Sequence, residues 1–87
     1  MKKKTTTFEV GKCYKSSTKD RVWFFMILKK DEPVYYAYYI KESRYQNYIM
    51  DSEMVHQEPN ECVEITTDEF LNAKTRVLSE LIKNPIP

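Results

Sequence analysis

Glycine occurs once in this chain of 87 residues, at Gly11, so no glycine-rich loop of the kind that cradles a phosphate can be built from it. Histidine also occurs once. His56 sits in a polar stretch without the serine, cysteine or paired carboxylate spacing of a triad or a general-base pair, and is expected at the surface. The two cysteines, Cys13 and Cys62, fit neither a CxxC pair nor a disulfide-dense secreted framework, and read as reduced, small apolar core residues. Even if Cys13, Cys62 and His56 converged in space, three ligands would leave a structural zinc site one short. No metal and no cofactor is therefore expected, and no small-molecule substrate.

Charge of one sign is lacking too. Fourteen basic and 13 acidic residues leave a formal charge of +1, which supplies no long-range field for gathering phosphates. The longest apolar run, residues 22–28, is too short to cross a bilayer. The opening MKKKTTTF is not followed by the apolar stretch of a secretory signal. The expectation is a cytoplasmic protein that is not an enzyme and does not act at a membrane.

What the chain does have is aromatic residues: seven tyrosines, four phenylalanines and one tryptophan. With 41% hydrophobic residues it should fold. The length supports one domain, residues 1–87, in which about 60 to 65% of the unfolded surface can be buried, so a partner or a second copy would add needed stability. Within it, residues 1–5 read as a flexible basic N-terminus, 6–65 as an antiparallel β region and 66–84 as an amphipathic helix. The run from Lys2 to Lys4 is expected to fray, with a weak capacity to touch phosphate.

Phe8 and Val10 alternate with polar neighbours, and Gly11 then predicts a bend or bulge where a Cβ would be unwelcome. The polar SSTKD that follows forms a turn. RVWFFMILKK combines aromatic and β-branched residues over strand length between turn-like flanks, which favours a strand over a buried helix. Val22, Phe24, Met26 and Leu28 then share one face, and Trp23, Phe25 and Ile27 the other. Both faces are apolar, so the strand is central. KKDEP turns the chain into VYYAYYIK, where Val34, Tyr36, Tyr38 and Ile40 form the better core face against Tyr35, Ala37, Tyr39 and Lys41. A weaker strand follows at residues 45–50, then a polar loop over 51–61 with a brief extended piece near 54–56, then a short strand at 62–65.

TTDE announces a helix, with Thr66 as cap and Glu69 three residues on. Phe70, Ala73, Val77, Leu78, Leu81 and Ile82 recur at helical spacing and predict one buried stripe, ended by Asn84 and Pro85. The elements add up to a mainly β fold with one C-terminal α-helix. Its sheet is a small bent antiparallel one or an SH3-like partly open barrel of four to five strands capped by the helix, with a two-layer α+β arrangement as the alternative. The opening Phe-Glu-Val-Gly-Lys-Cys-Tyr, residues 8–14, resembles how SH3-like barrels begin over those seven residues, and the sequence does not choose between barrel and open sheet.

Function is expected to lie in binding. Tyrosine and tryptophan combine large apolar area with a polar tip, the mix enriched at protein interfaces, and a buried phenol needs a hydrogen-bond partner. Some of the seven tyrosines should therefore face water. Tyr35 and Tyr39, with Trp23 or Phe25 beside them, are the candidate protein-binding residues of a small adaptor or inhibitor. The alternative is a nucleic-acid-binding small barrel in which strand aromatics stack on bases while Lys29, Lys30, Lys41 and Arg44 meet phosphates, blunted by Asp31, Glu32 and Glu42. A homodimer pairing through an aromatic face or sheet edge is the third possibility. Another protein or a second copy is thus the expected partner, ahead of nucleic acid.

Overall fold

A computed structural model describes residues 7–43 and 46–83. The basic run at Lys2 to Lys4, Arg44, Tyr45 and the helix stop at Asn84 and Pro85 lie outside them. The elements are β1 Cys13–Ser17, β2 Arg21–Asp31, β3 Val34–Ser43, β4 Tyr48–Met54, a 3-10 turn Pro59–Glu61, β5 Val63–Ile65 and α1 Thr67–Lys83. The strands form one antiparallel sheet in the order β4-β3-β2-β1-β5. β4 and β5 are its edges, so the sheet stays open and does not close into a barrel.

Apolar residues on both faces of β2 predict a central strand covered on each side, and two separate cores meet that need. On one face Phe24, Ile40, Cys13 and Ile65 pack beneath Phe70, Ala73 and Val77 of α1. On the other, Phe25, Ile27, Ala37, Tyr39 and Tyr14 pack with Phe8 and Cys62, without the helix. Here Phe8 sets its edge against Tyr14, Phe25 and Tyr35 at centroid distances of 5.0, 5.6 and 5.5 Å, while Phe25 stacks on Tyr39 at 4.9 Å. Such pairs contribute about 0.5–1.5 kcal/mol beyond their buried area. Among the described residues, Phe8 and a returning loop close this second core.

Several boundaries differ from those read off the sequence. Residues 8–11 form no strand; Phe8 is core, and Gly11 (φ +88°) sits in the turn that leads into β1. β4 starts at Tyr48 and runs through Asp51, Ser52 and Glu53, because an edge strand needs only one apolar side. The β2–β3 register shifts between Ile27 and Lys29, so alternation is interrupted and Leu28 is 45% exposed instead of joining Val22, Phe24 and Met26. In the helix, Leu78 and Ile82 are 42% and 78% exposed, contrary to the single buried stripe expected of them. The sheet covers only the arc through Phe70, Ala73, Val77 and Leu81, and residues about 100° further round cannot reach it.

Candidate functional site

Register alone builds the helix-free face as a grid. Trp23 of β2 lies opposite Lys41 of β3, which lies opposite Tyr48 of β4. In the next row Phe25, Tyr39 and Met50 align, and in the third Ile27, Ala37 and Glu53. Antiparallel pairing places the side chains of each row within reach of one another on one side of the sheet. The row of Glu53 stays on this side because β4 places two residues, Asp51 and Ser52, opposite Tyr38 alone.

Residues 55–62 return across this grid. The Val55 N–H donates to the Tyr35 carbonyl at 2.9 Å, and the Tyr39 hydroxyl donates to Gln57 Oε1. Pro59–Glu61 then makes its 3-10 turn, with the Glu58 N–H donating to Glu61 Oε1 at 2.7 Å. Cys62 drops into the core, its thiol donating to the Glu58 carbonyl at 3.4 Å. Burial pushes the Cys62 thiol up to about 11 and raises the Tyr39 and Tyr14 phenols above their ordinary range. These groups stay protonated and neutral, as a sealed core requires.

Where the loop does not fully cover the grid, two clefts remain. One, of about 60 Å³, is lined by Trp23 of β2, Tyr39 of β3, Tyr48, Met50 and Glu53 of β4, and His56 and Gln57 of the returning loop. The other, of about 150 Å³, lies between Phe8, Pro33 and Tyr35 and the loop from Val55 to Pro59. His56 and Gln57 line both. His56 Nε2 stands 4.0 Å from Glu53 Oε1, with its side chain exposed as the sequence suggested.

Of the four candidate protein-binding residues, Trp23 and Tyr35 are partly buried at the margins of these clefts. Phe25 (0% exposed) and Tyr39 (4%) are not at the surface, which corrects the expectation that Tyr39 faces water. These phenols can be buried because their polar tips are satisfied inside: Gln57 accepts from Tyr39, and the Tyr14 hydroxyl accepts from the Glu9 N–H at 2.8 Å. Tyr35, Tyr36, Tyr38 and Tyr48 remain partly exposed. Tyr48, Met50, Glu53 and Gln57 were not singled out from sequence, and His56 was read only as a surface residue. The alternation of Tyr48 with Met50 was visible, but their meeting with Trp23 depends on β3 lying between them.

The lysines of the nucleic-acid alternative do not gather on one surface. Lys30 pairs with Tyr35 and Lys29 with Tyr36, which places them on opposite sides of the sheet. Lys30 Nζ is held by Glu32 at 2.9 Å and lies 5.7 Å over the Tyr35 ring; Lys41 Nζ lies 4.9 Å over Tyr48. Arg44 falls outside the described residues. Cys13 and Cys62 belong to different cores on either side of the sheet, so they share no site. Among the described residues no cluster of three histidine, cysteine, aspartate or glutamate side chains is placed to hold a metal, and no helix is long and apolar enough to cross a membrane.

No family model, curated protein or solved structure matches this chain.

Proposed function

We propose that this chain is a non-enzymatic protein-binding module, a small adaptor or inhibitor, whose partner docks on the helix-free face around Trp23, Tyr35 and Tyr48. One observation carries the reading. The centre of that face is sealed, while its margins leave a tryptophan and two tyrosines partly exposed around two clefts. Aromatic anchors beside pockets are what dominates the energetics of protein interfaces. Phe25 and Tyr39 then serve as the floor that holds the anchors, not as anchors. Nucleic acid is the less favoured partner, because Lys30 is already neutralised by Glu32 and the basic residues are divided between two faces.

The test is affinity capture from the native source with the wild-type chain and with Trp23→Ala/Tyr35→Ala, folding being verified by circular dichroism. Selective loss of a partner with the double variant is the expected result; equal recovery of every partner removes these side chains as anchors. A second copy as the partner is favoured by a separate observation, the exposed apolar stripe Leu71, Leu78 and Ile82 along α1. Light scattering over a range of concentrations decides that reading, a constant monomer mass being fatal to it.

A further inference from the structure

Resting on the reading of this face as a protein-binding surface, we propose that the cleft between Trp23 and Tyr48 receives the ammonium head of a lysine side chain from the partner. The cleft's volume is about 60 Å³. A small cleft open to solvent on one side suits the head group of a side chain. Its lining includes Trp23 and Tyr48, and the carboxylate Glu53. Aromatic faces attract a cation through the ring quadrupole, indole most strongly, and a nearby carboxylate adds a Coulombic term. A neutral apolar group of the same shape gains neither.

The chain already uses this chemistry on itself. Lys41 sits over Tyr48, Lys30 over Tyr35 at 5.7 Å, and Lys74 over Tyr38 at 5.0 Å. Trp23 offers the best ring of all, yet among the described residues no cation lies over it. The Glu53 side chain is 35% exposed and its neighbour is His56, 4.0 Å away, so an incoming ammonium can reach the carboxylate. Lys41, between Trp23 and Tyr48 in the same row, is the chain's own cation beside the cleft and competes for Tyr48.

Trp23 is the single tryptophan of the chain, so its fluorescence and its indole N–H signal report on this cleft alone. The full chain is titrated with N-acetyl-lysine amide, with its trimethylated form, with the uncharged isostere carrying a tert-butyl group in place of trimethylammonium, and with choline. Cation–π attraction predicts that one or both lysine probes bind about tenfold or more tightly than the uncharged isostere and shift the Trp23 signals. Tyr48→Leu and Glu53→Gln should each weaken that binding about three- to tenfold, and Lys41→Gln should strengthen it. Equal affinity for the uncharged isostere overturns the proposal, as does binding that ignores both Tyr48→Leu and Glu53→Gln. Choline binding as tightly as the better lysine probe rejects a lysine side chain as the source of the cation. If Trp23→Ala/Tyr35→Ala abolishes partner capture while the isostere competes equally, the docking face stands and the ammonium specificity falls. If binding is cation-selective while capture is unchanged, the ammonium site stands and the docking face falls.

Discussion

Gly11 shows how much a single position can carry. Its φ of +88° is one that a side chain makes costly, and it closes a turn in which the Lys12 N–H donates to the Glu9 carbonyl at 3.1 Å while its own N–H donates to the Ile27 carbonyl at 2.8 Å. An added Cβ would meet nothing within 4 Å, so Gly11→Ala isolates the backbone cost. A loss of about 1–2 kcal/mol is expected, seen as a lower urea midpoint at unchanged slope; an unchanged midpoint removes the conformational explanation. The thiols give a second residue-scale outcome. With the Cys62 thiol raised from 9.0 to about 11, the thiolate fraction well below pH 9 is lower by about a hundredfold, and burial raises Cys13 as well. At pH 8 a thiol reagent should label the folded chain far more slowly than the urea-unfolded chain, and fast labelling of native protein would place Cys62 outside the core. At this scale the sequence was readable where backbone geometry or apolar character decides. It was misleading for Tyr39, whose burial depends on Gln57 arriving from 18 residues away.

At the level of elements, α1 began where its cap said it would. The Glu69 N–H donates to Thr66 Oγ1 at 3.1 Å, so the cap satisfies one of the helix's free donors, and the Phe70 N–H donates to the Thr66 carbonyl at 3.1 Å in the first helical hydrogen bond. Which stripe it buries was legible only in part, since its apolar arc is wider than the sheet beneath it. Neighbouring residues supply the test. Phe70 is 1% exposed and touches Tyr38 edge-on, so Phe70→Ala should cost about 3–5 kcal/mol. Leu71 is 46% exposed, and Leu71→Ala in the monomer should stay within about 0.5 kcal/mol. Comparable urea midpoints for the two variants would mean that the helix docks by another stripe. The outer side of α1 is fastened more weakly: Arg76 reaches Glu42 of β3 through two hydrogen bonds at 2.9 and 3.2 Å while lying 5.6 Å over the Phe24 ring. Much of Arg76 is exposed, so Glu42→Gln should cost less than about 1 kcal/mol in a melt at moderate salt.

For the molecule as a whole, the consequential feature is a sheet with a core on each side and weakly acidic groups inside both. Burial raises Cys13 on the helix side, and Tyr14, Tyr39 and Cys62 on the other. The sign follows directly. The unfolded chain releases these protons at lower pH than the folded one, so the unfolded state binds fewer protons and stability falls as pH rises. For Cys62 the loss spans pH 9 to about 11, and the phenols extend it upward. Urea midpoints should therefore be level from neutrality to about pH 8 and decline steadily above pH 9; a midpoint that rises through pH 9–11 would contradict burial of these groups. The same two-sided arrangement leaves the helix-free face closed by a loop and a single phenylalanine, and its clefts lie where that cover thins.

Composition and local pattern were enough to determine a mainly β chain with a hairpin around Pro33, a central strand apolar on both sides and a capped C-terminal helix, because propensity, turn chemistry and capping act within a few residues. The residues that share a cleft were decided by the tertiary structure. Trp23, Tyr48, Glu53 and Gln57 meet through strand register, a bulge and a returning loop, and each of these is set by contacts between residues distant in sequence, whose free energies no local window contains.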